Sequence, residues 1–274
     1  MTSTIDMNLF IQALLVNGII AVIAYFAKVV SKSGILGGLI VGIPIYAFMG
    51  WQGFVILFSM FAIGTLATKW GYQKKKEMGL AEKNEGQRGI SNVLGKCLAG
   101  VIFAVCSSFF PKNNAFFLVF RLAFLGSFAA GAFDTISSEL GQLYGKKCYT
   151  LIPFRKVEKG TEGAVSLEGT VAGILGGTSI VLIGLIIGLF LVLENDYQRI
   201  LFGVMALVGI LLGITLSNII ESVLGSKFES KKLLNKFTTN FLNTFLGGVL
   251  SALSFFTIFY IYFFIWFKVL KLPD

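Results

Sequence analysis

The 274-residue sequence contains no histidine, only 3 cysteines and only 4 prolines, and its charged residues amount to 14%. Without imidazole there is no histidine general base, no His-ligated zinc and no Ser-His-Asp triad. Cys97, Cys106 and Cys148 show neither disulfide nor zinc spacing and read as packing residues. A soluble domain carries about a quarter charged residues, so an ordinary cytosolic enzyme is excluded too. What is present is apolar: 55% of the residues are hydrophobic, with 28 Phe and 32 Gly. The formal charge of +9 is gathered into a few connections and not spread over a polar surface, so no nucleic-acid partner is expected.

Uncharged runs set the class. Residues 8–30 exceed a signal-peptide core and lack a convincing small-residue cleavage site, so they read as a membrane helix. Between Lys32 and Lys69 no charge occurs. One helix over that stretch would be about 54 Å long against a hydrocarbon core of about 30 Å. It must cross twice, with Pro44 and Gly50-Trp51-Gln52-Gly53 as punctuation between spans at 34–50 and 52–68. Further spans are expected at 91–110, 115–133, 169–193, 200–220 and 240–266. The predicted fold is an all-α polytopic integral membrane bundle of about eight transmembrane helices in one domain, 1–274, with three sizeable cytoplasmic loops. The span at 91–110 is the least regular, because Lys96 lies inside it.

Most of the 23 basic residues fall on alternate connections. Lys28 and Lys32 flank the first; Lys69, Lys74, Lys75, Lys76, Lys83 and Arg88 occupy the third. Lys146, Lys147, Arg155, Lys156 and Lys159 occupy the fifth, and Lys227, Lys231, Lys232 and Lys236 the seventh. The opposite side has Lys112, Arg199, Lys268 and Lys271. This asymmetry puts the loaded loops in the cytoplasm and both termini outside. No transit peptide is recognisable, which points to a prokaryotic plasma membrane. Glycines within the spans read as sites of close helix packing.

Ionisable groups at span ends are the informative ones in a membrane chain. Asp134, Glu139, Glu158, Glu162 and Glu168 lie between the fifth and sixth spans, and Glu221 sits at the cytoplasmic end of the seventh. If the helix continues past Asp134, Ser138 shares its face while Glu139 points about 140° away. A basic stretch follows, then the small-residue turn Gly160-Thr161-Glu162-Gly163. Carboxylates that hold Mg²⁺, beside cations and turn amides that take phosphate oxygens, are what a metal-bound polyphosphate requires. An ordinary solvated cytoplasmic loop has the same composition. A P-loop is excluded, because five residues separate Gly89 from Gly95-Lys96 where four are needed and Cys97 follows. The segments DTISSELG (134–141) and NIIESVLG (218–225) echo each other, by duplication or by chance, and bring Asn218, Glu221 and Ser222 into consideration.

Six blocks carry a further signal: GTLATKW (64–70), GLAEKNEGQRGISNVLG (79–95), FDTISSELG (133–141), GTEGAVSLEGTVAGILGG (160–177), NIIESVLGSKF (218–228) and NFLNTFLGG (240–248). In this order they resemble the polytopic membrane prenyl-phosphate (phytyl-phosphate) kinase family, which includes the transmembrane-protein-19-like proteins. There is a more distant similarity to dolichol kinase and CDP-lipid synthase enzymes. The resemblance implies Mg²⁺-dependent phosphoryl transfer from a nucleoside triphosphate, with CTP the expected donor, to an isoprenyl monophosphate within the bilayer. It assigns Arg88 and Asn92 to phosphate, Asp134, Glu139 and Glu221 to metal, with Asp134, Glu139 and Arg88 catalytic. Lys147, Lys156, Thr161, Glu162, Gly163, Asn218, Asn240 and Asn243 become nucleotide or phosphate contacts. Three positions depart from the family's pattern: Glu221 stands where Asp is expected, Gly95-Lys96 where Ala-Asn is common, and Glu162 where Asn or Asp is common. An acceptor that is already a phosphate monoester needs no base, in keeping with a chain without His. A cytidylyltransferase forming a CDP-lipid and a lipid or solute transporter are the rival readings.

Overall fold

The computed structural model describes residues 7–27, 29–82, 86–189, 196–229 and 233–270. Lys28, Lys83, Lys231, Lys232 and Lys271 of the basic pattern lie outside these residues, as does the end of the expected sixth span. Seven helices are long and apolar enough to cross a membrane: α1 (Met7–Phe26), α2 (Lys32–Lys69), α4 (Ile90–Ser108), α5 (Ala115–Tyr144), α6 (Leu167–Ile186), α7 (Asp196–Leu224) and α8 (Lys236–Leu270). A short α3 (Tyr72–Glu77) follows α2, and α7 ends in a π-helical turn, Gly225–Glu229. The chain is a polytopic helical membrane protein.

The uncharged stretch from residue 32 to 69 is helical throughout except at Gly50, where φ is 66° and ψ −164°. That backbone state costs a residue without Cβ little. A straight helix would hold residues 34 and 64 about 45 Å apart. Instead both meet Arg88: a Cβ on Gly34 would collide with the Arg88 carbonyl, and one on Gly64 would lie 2.9 Å from Arg88 Nη2. α2 is thus a hairpin of two arms, which is why eight crossings were expected where seven long helices are found. Pro44 sits inside the first arm and does not end it.

Helix α5 occupies the centre and packs against both α4 and α6, and against α2, α7 and α8. It is buried without interruption from Leu122 to Phe133. A helix surrounded on every side needs small residues at its contacts, in membranes as elsewhere. Gly126 faces Ser251 of α8, Gly247 faces Ala130, and Gly173 and Gly176 of α6 receive Phe133 and Ile136. Likewise Gly209 and Gly213 of α7 lie against the α8 backbone at Phe255 and Ser251. The reading of span glycines as packing sites holds at these positions, though not at Gly38, around which a Cβ would meet nothing within 4 Å.

The expected fifth span stops short of the real helix, which continues from residue 133 to Tyr144 and is capped by Gly145. Gly141 is therefore helical. The polar segment beyond is not wholly irregular either. Strands β1 (Cys148–Leu151), β2 (Phe154–Val157) and β3 (Val165–Ser166) form an antiparallel sheet in the order β2-β1-β3. Its inward face is set by alternation in β1, where Cys148 and Thr150 are buried. The sheet is a minor addition to the expected all-α fold. The three cysteines are free thiols.

Overpacking a helix contact costs about 1–3 kcal/mol. Gly213→Val, whose side chain would be driven into the Ser251 backbone, is expected to lower the denaturation midpoint of the detergent-solubilised protein. Gly38→Ala should leave it unchanged.

Candidate active site

Arg88 is held from two sides before its guanidinium does anything. Its carbonyl accepts from the Ser31 amide and hydroxyl, each at 3.3 Å, and its backbone bridges Val30 in parallel. These contacts tie it to the start of α2, while its side chain crosses Gly64 on the other arm. The guanidinium donates to Asn92 Oδ1 at 3.3 Å and Thr68 Oγ1 at 3.5 Å. No described carboxylate forms an ion pair with it. Burial lowers its pKa from the ordinary value and the nearby charges of Glu139, Glu82 and Asp134 oppose that shift. Arginine stays a cation in either case.

Three lysines are paired around it. Lys75 of α3 is fully buried, donates to the carbonyls of Thr68 at 2.8 Å and Ala67 at 3.3 Å, and forms an ion pair with Glu139. Its ammonium thereby satisfies carbonyls that the end of α2 would otherwise leave open. Lys96 of α4 donates to Asp134 Oδ2 at 2.5 Å and Thr135 Oγ1 at 2.6 Å. Lys236 reaches Glu82 across 2.9 Å. Burial opposes the charge on Glu82, but Lys236, helped by Lys96 and Arg88, outweighs this and holds its pKa below the usual carboxylate value.

Of these groups Arg88, Lys96, Lys236 and the acids of those two lysines, though not Lys75, line a cavity of about 500 Å³ at one end of the bundle. Of the residues expected from sequence, Arg88, Asn92, Asp134, Glu139, Thr161, Glu162, Gly163, Asn218, Glu221 and Asn240 line it. The Asp134 and Glu221 carboxyl groups interact directly, although 87 positions separate them. The turn carrying Glu162 comes within reach because Gly163, at φ 71°, lies against Ser222 and Ser226. A side chain there would strike the α7 terminus. The amide nitrogen of Asn240 is buried without a partner among the described residues.

Four expectations change. Glu139 does not join Asp134, because α5 stays helical between them and the two point apart; its carboxylate is taken by Lys75. Lys147 and Lys156 do not line the cavity. Both are exposed, Lys156 in β2 opposite Tyr149. Asn243 lies behind the wall, donating to Asn218 Oδ1 at 3.3 Å.

Sequence reading passed over Lys96, Glu82, Lys236 and Glu229, all of which line the cavity. Lys96 did carry a signal, since a charge inside a span marks function by default. Glu82 and Lys236 are 154 positions apart and share no local pattern.

The family described as integral membrane protein DUF92 matches residues 15–248. The chain belongs to this family. All six sequence blocks and every cavity residue named above fall inside the matched stretch. This DUF92 chain is 40% identical over 158 residues to Protein VTE6, chloroplastic, of Arabidopsis thaliana, covering 58% of the chain and 47% of that protein. The match thus spans about half the length of that relative. It is 32% identical to an uncharacterised membrane protein of Synechocystis sp. over 199 residues, 72% of the chain and 74% of the relative. With an uncharacterised membrane protein of Methanocaldococcus jannaschii it shares 33% identity over 177 residues, 65% of the chain and 70% of the relative. No solved structure matches the chain.

Removing one partner of a buried ion pair costs about 3–5 kcal/mol, because the other charge is left unpaired. Lys75→Met should destabilise the protein on that scale, and adding Glu139→Leu should recover much of the loss. Thermal melts of the two single variants and the double variant in detergent check this.

Proposed function

We propose that the cavity transfers the γ-phosphoryl group of a nucleoside triphosphate, CTP in the expected case, to an isoprenyl monophosphate such as phytyl phosphate. The observation that carries this reading is the donor set: two facing carboxylates, Asp134 and Glu221, beside Arg88, Lys96 and Lys236 in one cavity. The resemblance of the motif blocks to prenyl-phosphate kinases supports it.

The residues fit a magnesium ion. Mg²⁺ takes oxygen ligands, commonly one or two carboxylates with the remaining positions left to phosphate and water. Asp134 and Glu221 supply such a pair, with no third acid or cysteine gathered with them into a metal-holding group among the described residues. Held by Asp134 and Glu221, Mg²⁺ would supply positive charge against the transferring phosphates. The protein's own groups do the rest. Arg88 and Asn92 hold the acceptor phosphate, while Lys236, Asn240 and the Thr161–Gly163 turn hold the triphosphate. Lys96, at a position where the resemblance to prenyl-phosphate kinases implies Asn, orients Asp134 and adds a positive charge.

An acceptor oxygen attacks the γ-phosphorus, the bond from that phosphorus to the β–γ bridging oxygen breaks, and the nucleoside diphosphate leaves with that oxygen. The acceptor arrives ionised, so no proton is removed and no histidine is needed. Catalysis is alignment and charge neutralisation. The cavity's ionisable groups gather at one end of the bundle, which disfavours a transport path. Following the basic loops, we place this end in the cytoplasm of a prokaryotic cell, with both termini outside.

Purified protein incubated with farnesyl or phytyl monophosphate, CTP and Mg²⁺ should yield CDP and the prenyl diphosphate. Pyrophosphate with a CDP-lipid would instead establish a cytidylyltransferase. Chelation with EDTA should stop turnover and added Mg²⁺ restore it. Asp134→Asn should lower kcat by more than about 100-fold while the protein still inserts into the membrane, with a lowered melting midpoint because Lys96 loses its partner.

A further inference from the structure

A second cavity, of about 110 Å³, opens beside the first between α1, the two arms of α2 and α4. Its walls are apolar, with Ile20, Phe54, Phe58 and Phe61 among them. Arg88, Asn92 and Lys96 line both cavities and so form the seam between a charged chamber and a hydrocarbon groove. Lys96 is committed to Asp134, whereas the Arg88 guanidinium meets only neutral oxygens among the described residues. A half-buried guanidinium with no carboxylate at hydrogen-bond distance among the described residues is free to take an anion, and an apolar groove opening directly from it offers nothing to water.

We propose that this groove is the seat of the isoprenyl tail, with the phosphate of the isoprenyl monophosphate held at the seam by Arg88 and Asn92. The assignment rests on the kinase reading above and adds to it where the acceptor enters and what covers its tail. The small volume admits the isoprene units nearest the phosphate. The remainder continues along α1, which packs against α2 and leaves most of its surface to lipid. Two glycines shape the walls differently. Gly34 is required by the close approach of the Arg88 carbonyl, while a Cβ on Gly38 meets nothing, so Gly38 leaves open space in the groove. The nucleotide then approaches from the Glu162 and Lys236 side, and the two phosphates meet between Arg88 and Asp134.

Gly38→Leu fills the groove without moving backbone, and Ala21→Phe fills it from the α1 wall. In full-length protein that turns over farnesyl monophosphate, each should raise the acceptor KM at least about tenfold and leave the CTP KM unchanged. Leu253→Ala, on the lipid-facing surface of α8, should change neither. An unchanged acceptor KM in both groove variants, with Asp134→Asn still inactive, would overturn the groove and leave the kinase reading standing.

A second readout needs no turnover. A diazirine-bearing farnesyl monophosphate should label residues of α1, α2 and α4, with labelling suppressed by excess farnesyl monophosphate and reduced in Gly38→Leu. Labelling spread over α8, or displaced by phosphatidic acid and not by farnesyl monophosphate, would overturn the proposal. If wild type turns over no prenyl phosphate, the kinase reading fails while this labelling still decides the groove.

Discussion

Helix α5 is enclosed by other helices along most of its length because its contacts are made by small residues. Gly126, Ala129, Ala130, Gly131 and Ala132 lie along one stretch, and facing glycines on α6 and α8 extend the match. In lipid there is little hydrophobic gain from pressing two apolar helices together, so closeness of contact has to supply the attraction. That closeness also determines where the polar end lies. Asp134 and Glu139 project from the end of the enclosed stretch, and the ends of α2, α4, α7 and α8 are drawn in around them.

Charge then organises what packing has assembled. Each lysine buried at this end has an assigned acid, Lys75 with Glu139 and Lys96 with Asp134. Isolated charges would be costly here, and pairing lets them stay. Glu221 and Arg88 are the members that break the pattern: one faces another carboxylate, and the other has acids nearby but forms no direct ion pair among the described residues. Those two exceptions are opposite in sign, and each calls for a ligand of opposite charge. A cation beside Asp134 and Glu221 and an anion beside Arg88 would together be a metal-bound phosphate, which is the ground on which phosphoryl transfer is proposed.

The membrane class, the crossing at Gly50 and the polar end of α5 were legible from sequence because each is a local property. A run without charge, a glycine between two spans and an acid closing an apolar stretch can all be seen within a few residues. The Gly160–Gly163 turn was legible for the same reason. Lys147 and Lys156 misled because a basic loop signals its face of the membrane whether or not its side chains reach a ligand. Lys156 on β2 and Lys147 just before β1 are exposed and do not line the cavity. Glu139 was ambiguous until the helix was known to continue to Tyr144, since the direction of a side chain five residues on depends wholly on that continuity.

By itself, then, the sequence determined that this chain lives in a bilayer, belongs with a particular set of motif blocks and keeps its ionisable groups at span ends, because hydropathy and helix period are carried by neighbouring residues. Only the tertiary structure decided which acids face each other, which lysines neutralise them and that Arg88 stands between a charged chamber and an apolar groove. Those outcomes join residues such as Asp134 with Glu221, and Glu82 with Lys236, through the approach of helices whose packing is set by glycines far from either partner.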